Sequence, residues 1–225
     1  MNIAMIRVGV DAGCGGNQGP LFRNGSFEFI PIPENPGINC KYTFGSLVGR
    51  YGRPLSDYFP VRRRNKIAIS GVHDDPDWKT FTYGTDTAGA QSGLRNLEKG
   101  DILMFTCGLE GWDFPSPPAI YLIGYFVVKI AGTVSEFSLR DIKTLFWSNA
   151  HVRGKWSKKD FKHWDGSELI LIKGSPRSRL LKEAVALSIT TRDSIGRPLK
   201  VISPKMQKIM GDFGGKTSIQ RSPTR

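Results

Sequence analysis

Apolar residues along this chain come in short runs broken by glycine, proline and charged clusters, the pattern of a strand-rich fold rather than of long helices. Residues 3–10 (IAMIRVGV) are predicted to form a strand that runs into the glycine-rich loop DAGCGGNQGP. Asn24-Gly25 marks a hairpin-type turn, with FEFIPI (27–32) as a second strand. Residues 34–66, rich in Pro, Gly and Arg, read as a long connection in which Pro54 and Pro60 oppose a continuous helix. Another short strand, 67–72, would deliver His73 and the acidic cluster DDPD to a loop, and 91–98 reads as a short helical turn. The clearest stretch follows: a turn at Lys99-Gly100-Asp101, an apolar strand to Leu109, a Pro-rich loop, and a further strand over 119–130. Residues 138–147 read as a short helix capped by Ser138, 169–173 as a strand, 178–187 as a short helix, and 195–201 as a turn and strand. The last dozen residues are expected to fray.

With 225 residues, 39% hydrophobic and 23% charged, the chain can bury a core as one domain or one domain plus a small addition. The expected division is a domain over 1–165 with a basic extension over 166–225 packed on it. Three cysteines, Cys14, Cys40 and Cys107, lie far apart without CxxC spacing, which argues against a disulfide framework and a thiolate zinc site. The apolar start is too short for a signal peptide, and no run approaches the roughly 18 apolar residues of a membrane helix, so a cytoplasmic protein is expected.

Charge changes the picture more. Residues 1–150 hold 15 Lys/Arg against 14 Asp/Glu, whereas 151–225 hold 17 against 6, so nearly all of the net +12 lies in the last third. Such a segment suits a polyanion, because neutralising phosphates releases condensed counterions. In RGKWSKKDFKHWD (153–165), Trp156, Phe161 and Trp164 interleave with the charges and could stack on bases. Nucleic acid, DNA or RNA, is the expected partner.

Several motifs carry candidate chemistry. The loop Asp11-Ala12-Gly13-Cys14-Gly15-Gly16 could bring backbone N–H groups to a phosphate, but it lacks both the Lys-Ser/Thr of a P-loop and GxGxxG spacing before a helix. A tight turn accounts for it equally well. Two of the three histidines sit in polar loops, His73 in GVHDDPD and His151 in SNAHVRG. His73 beside Asp74, Asp75 and Asp77 has the donor types of a metal site, yet no HxH or HExxH spacing accompanies it, so no metal and no cofactor are predicted. Asn149, His151 and Arg153 alternate by two, and in an extended segment they would share one face suited to a base edge and a phosphate. No GxSxG context or Cys-His neighbourhood supports a nucleophile.

LEKGDILMFTCGL (97–109) and PPAIYLIGYFVVKIAG (117–132) resemble the core of PUA-like domains, the EVE, ASCH and YTH groups. In these a GD turn, here Gly100-Asp101, starts a barrel strand, and the next strand carries a glycine, here Gly124. A closer resemblance covers most of residues 6–153 and is not expected to include the basic tail after 165. RVGVDAGCGGNQGPLFRNGSFEFIPIPE, VHDDPDWKTFTYG, GDILMFTCGL, YLIGYF and NAHVR stand in the order found in the third of the nucleotide modification associated domain families. One departure is that Thr85, followed by Asp86, stands after FTYG where an acidic residue is expected. The resemblances imply an α/β (α+β), β-rich fold: a PUA-like small β-barrel with short flanking helices and an N-terminal strand–glycine-loop extension. They also imply a pocket at the barrel mouth for a flipped or modified base, and other components of a base-modification system as partners.

On this reading the chain is a nucleic-acid-binding protein. The base pocket would draw on Gly13, Gly15, Gly16, Ser26, Phe27, Glu28, Tyr83, Trp112, Trp147, Asn149, His151 and Arg153. Arg62, Arg63, Arg64, Lys155, Lys158, Lys159 and Lys162 would contact phosphates. The alternative is an enzyme acting on a nucleobase or nucleotide, with Asp11, His73, Asp75 and His151 as converging acid–base groups.

Overall fold

The computed structural model describes residues 1–10, 17–34, 40–86, 89–153, 155, 161 and 168–211. Its centre is a hairpin of two long strands, β6 (Ile102–Gly111) and β7 (Ala119–Thr133), joined by the Pro-rich loop. On the free side of β6, β1 (Ile3–Arg7) lies parallel to its first half, and β2 (Gly19–Leu21) lies parallel to its last residues. The Lys99-Gly100-Asp101 turn forms, and the buried Asp101 carboxylate ties it to the start of the sheet by accepting from the Asn2 and Glu98 backbone N–H groups.

β7 has 15 residues and changes partners along its length. Its first part pairs with both β6 and β9 (Arg179–Ala186), and its last part pairs with β8 (Leu169–Gly174), which in turn pairs with β5 (Thr82–Asp86). Gly124 stands where these ladders shift. A side chain there would meet the Trp78 ring at 2.4 Å and the Arg179 carbonyl at 2.6 Å. A strand glycine of this kind marks close approach by another group.

Seven strands thus make one main sheet, but its ladder does not close among the described residues. Isolated bridges, Leu21–Phe27 and Ser26–Glu183, join the β2 end to β9 in place of a continuous ladder. The expected closed barrel is therefore corrected to an open, β-rich sheet with short helices. β8 and β9 both come from beyond residue 165, yet both are hydrogen-bonded into this sheet.

Three further expectations are corrected. Residues 178–187 form strand β9 rather than a helix: Leu, Lys, Glu and Ala favour helix locally, but the open edge of β7 supplies a ladder. Residues 67–72 do not form a strand. Helix α1 (Val61–Ala68) starts directly after Pro60, which serves as its N-cap, and the strand shrinks to β4 (Val72–His73), paired with β3 (Ile32–Pro33). FEFIPI is not a continuous strand either: Phe27 makes an isolated bridge to Leu21, Ile32 pairs with His73, and the residues between them, including Pro31 with no N–H to donate, join no ladder. The expected turn and strand after 195 are present as the hairpin β10 (Ser188–Arg192) and β11 (Pro198–Ile202), followed by α3 (Pro204–Met210).

Four apolar clusters hold these pieces. The largest packs Phe27, Phe105, Ile123, Phe126 and Tyr83 on one face of the sheet, with aromatic rings 4.6–5.6 Å apart. Ile142 of α2 (Leu139–Leu145) and the following Phe146 pack with Phe137, Val152, Phe161 and the Leu169 and Leu171 side of β8. Ser138 caps α2 as expected, its Oγ accepting from the Asp141 N–H at 3.0 Å. Met206 of α3 joins Met5, Ile120, Leu187 and Ile202. The long connection makes its own cluster from Phe44, Leu55, Tyr58, Phe59 and Val72, with Val10 and Ile30. No helix among the described residues is long and apolar enough to cross a membrane.

Candidate functional site

Two turns build the site. The first runs from His73 at the end of β4 to Thr82, where β5 starts. Asp77 folds it back by accepting from the Lys79 N–H at 2.8 Å, the Thr80 N–H at 3.3 Å and the Thr80 hydroxyl at 2.7 Å. The second follows α2. The Val152 and Arg153 N–H groups both donate to the Asn149 carbonyl at 3.0 Å, and the His151 N–H donates to Asn149 Oδ1. Residues 149–153 are thus a tight turn rather than an extended segment, and Asn149, His151 and Arg153 do not share a strand face.

Between the turns, His73, Asp75 and His151 converge. The Nε2 atoms of the two imidazoles are 3.2 Å apart, with ring planes at 84°, and His151 Nε2 lies 3.5 Å from Asp75 Oδ2. The neighbours hold these groups in place. Glu34 Oε2 lies 2.7 Å from His73 Nδ1. Asp75 accepts from Asn149 Nδ2 at 2.8 Å and from the Gly84 N–H at 3.2 Å. Gly84 must be small here, since a Cβ would sit 2.8 Å from the His151 ring and 3.0 Å from Asn149 Oδ1. One ligand atom from each of His73, Asp75 and His151 lies within 4.8 Å of the others, a spacing that a single cation could bridge.

Their chain neighbours open onto a cleft. One lobe, of about 250 Å³, is lined by Lys41, Tyr42, Asp74, Asp77, Lys79, Trp147, Ser148 and Arg153. A second lobe, of about 170 Å³, shares Tyr42, Asp74, Asp77 and Lys79 and adds Glu28, Phe29, Trp78, Arg50 and Leu180 among others. Trp147 is 55% exposed, while Trp78 also packs edge-on to the core rings of Phe105 and Phe126.

Two carboxyl groups of this cleft, Glu28 and Asp74, are displaced from their ordinary range. Burial lifts the Glu28 carboxyl from 4.5 to about 7, against the pull of the Arg50 backbone N–H and guanidinium. Burial and the neighbouring Asp77 and Asp75 charges raise Asp74 from 3.8 to about 6, with Arg153 acting the other way. Burial, helped by Glu28, lifts the Tyr58 hydroxyl to about 12. Glu28 Oε2, Tyr58 Oη and Trp78 Nε1 are buried without a hydrogen-bond partner in the described chain.

The sequence-predicted residues divide as follows. Glu28, Trp147 and Arg153 line the cleft, and Asn149 and His151 stand beside it. Phe27 and Tyr83 are corrected to core residues, at 0% and 5% exposure. Trp112 packs edge-on to Tyr58, and Ser26 lines a different hollow with Arg50, Tyr51 and Lys182. Arg62, Arg63 and Arg64 lie on α1, where Arg64 Nε donates to the Phe59 carbonyl and Arg63 borders a third hollow with Lys66. Lys155 lies over the Phe161 ring. Asp11, Gly13, Gly15, Gly16, Lys158, Lys159 and Lys162 fall outside the described residues, as do Trp156 and Trp164. Sequence reasoning missed Lys41 and Tyr42, which lie in no motif, and Glu34 and Gly84, which end the quoted blocks FEFIPIPE and FTYG but were given no role. Asp74 and Asp77 were visible in the DDPD cluster but were not assigned to the pocket.

No curated protein and no solved structure matches this chain. The family model described as nucleotide modification associated domain 3 matches residues 2–209, which takes in β8 to β11 and nearly all of α3.

Proposed function

The chain belongs to the nucleotide modification associated domain 3 family, and from that premise we propose that its two-lobed cleft holds a single nucleobase of a DNA or RNA strand. A family associated with nucleotide modification sets the context. The specific reading rests on one observation, the composition of the cleft: exposed Trp147 with Tyr42, the carboxyl groups of Asp74, Asp77 and Glu28, and the cations Lys41, Lys79 and Arg153 on one concave surface. Trp147 and Tyr42 offer π-faces for stacking. The carboxyl groups accept hydrogen bonds from exocyclic amino groups of a base. The cations suit the flanking phosphates.

Size and unmet polar needs support the same reading. Lobes of about 250 and 170 Å³ are each smaller than sites for drug-sized ligands, which run roughly 300–1,000 Å³, and so suit one base better than an extended cofactor. Glu28 Oε2 and Trp78 Nε1, both from the second lobe, are polar atoms that the described chain leaves unpaired. Buried polar atoms of this kind normally have partners.

The test is binding of the whole chain to short single- and double-stranded DNA and RNA, plain and modified, across a salt series. Binding should weaken with salt. Trp147→Ala should lower affinity about 5- to 150-fold, the equivalent of roughly 1–3 kcal/mol of stacking, without loss of fold. Equal affinity of parent and variant, or no binding at low salt, refutes the assignment.

The convergence of His73, Asp75 and His151 supports a second reading, an enzyme acting on the held base with these groups as proton donors and acceptors. Altered nucleoside mass after incubation with the parent, but not with His151→Gln, would favour it over a pure binding role.

A further inference from the structure

We propose that His73, His151 and Asp75 form a binding site for one divalent first-row transition-metal ion of the zinc or ferrous-iron kind. The inference depends on neither functional reading above. It rests on the arrangement of the donors and on what surrounds them.

The first argument is spacing. A four-coordinate ion with bonds of about 2.0–2.1 Å sets its ligand atoms about 3.3–3.4 Å apart. His73 Nε2 to His151 Nε2 is 3.2 Å, and His151 Nε2 to Asp75 Oδ2 is 3.5 Å. These donors come from positions 78 residues apart, brought together by the end of β4 and the turn after α2.

The second argument is the shell behind the donors. An ionised Glu34 carboxylate can only accept, so its 2.7 Å contact makes His73 Nδ1 the protonated nitrogen and leaves the Nε2 lone pair facing His151. Carboxylate-to-imidazole contacts of this kind fix the tautomer of metal-bound histidines. The Asn149 amide and the Gly84 N–H hold Asp75 in turn. The Gly84 position, where a Cβ would strike His151, keeps that ring against the carboxylate.

The third argument is charge. The Asp75 side chain is 3% exposed, and among the described residues its ion-pair partner is the His151 imidazole, not an Arg or Lys. Buried carboxylates are costly unless a cation compensates them. Two imidazoles and one carboxylate are also the set that leaves coordination positions open for an oxygen ligand. His151, at 28% exposure, is the side from which such a ligand could enter.

The alternative occupant of the same geometry is a proton shared along Glu34, His73, His151 and Asp75, and the experiment separates the two. The full chain, free of any affinity tag and stripped with a chelator, is titrated with Zn²⁺ and with Co²⁺ by calorimetry and visible absorption. The expected result is one equivalent bound, with a Co²⁺ spectrum of nitrogen and oxygen ligation. His151→Gln, at the most exposed ligand, should abolish the site, and Glu34→Gln should weaken it roughly 10- to 100-fold. Near-UV circular dichroism checks that both variants fold. Independently of any variant, Zn²⁺ should shift the imidazole ¹⁵N resonances of two of the three histidines. Absence of saturable binding by the parent, undiminished binding by folded His151→Gln, or equal shifts at all three histidines overturns the proposal.

Discussion

Replacing Glu28 by glutamine probes how dry the cleft is. Glu28 is 5% exposed, and burial raises its carboxyl from 4.5 to about 7, the Arg50 backbone and charge offsetting only part of this. The folded value lies above the unfolded one. Between about pH 4.5 and 7 the native chain therefore keeps a proton that the unfolded chain has released. The stability this contributes is fully present below pH 4.5 and is lost as pH rises through 7. At 1.36 kcal/mol for each factor of ten in acidity, the full effect is about 3 kcal/mol. Glutamine keeps the shape and cannot ionise, so it removes the dependence. Urea unfolding of parent and Glu28→Gln at pH 5 and pH 8 measures it, and the variant should gain about 2–3 kcal/mol on the parent between those two pH values. A parent–variant difference that is the same at both pH values would show that Glu28 ionises as it does in water, and the account of a dry second lobe would fail.

Gly84→Ala places a Cβ 2.8 Å from the His151 ring, so it should cost about 1–3 kcal/mol in urea unfolding and at least tenfold in Zn²⁺ affinity by calorimetry; unchanged values in both would contradict the contact. Ser138→Ala removes the acceptor for the Asp141 N–H and should cost about 1 kcal/mol of unfolding free energy, with cleft binding intact. Phe146→Ala empties a fully buried position beneath α2 and should cost about 3–5 kcal/mol, read as a fall in urea midpoint.

What the sequence made legible was local. β6 and β7 could be read because β-branched and aromatic runs meet a glycine turn, and α2 because Ser138 announces its cap. β9 could not be read, since RLLKEAVA takes its conformation from the free edge of β7, a partner more than fifty residues away. The site shows the same division. His73, Asp75 and His151 were nameable as chemistry-bearing residues. That they meet, and that Glu34 and Gly84 hold them there, depends on a turn of Asn149 carbonyl contacts that no periodicity encodes. Aromatic identity alone misled at Phe27 and Tyr83, because a ring in a strand is as useful to the core as to a ligand.

Trp78 stands in both worlds. Its ring rests on Gly124 and against Phe105 and Phe126, yet it also borders the second lobe of the cleft. Mutational drift at that wall is therefore tied to the survival of the whole sheet, and selection on folding will hold it still. Tyr42 and Trp147 sit on connecting segments outside the strands, where replacements disturb little else. Divergence in ligand choice among chains of this architecture should consequently accumulate on the loop side of the cleft, while the Trp–Gly seat persists as its fixed reference surface.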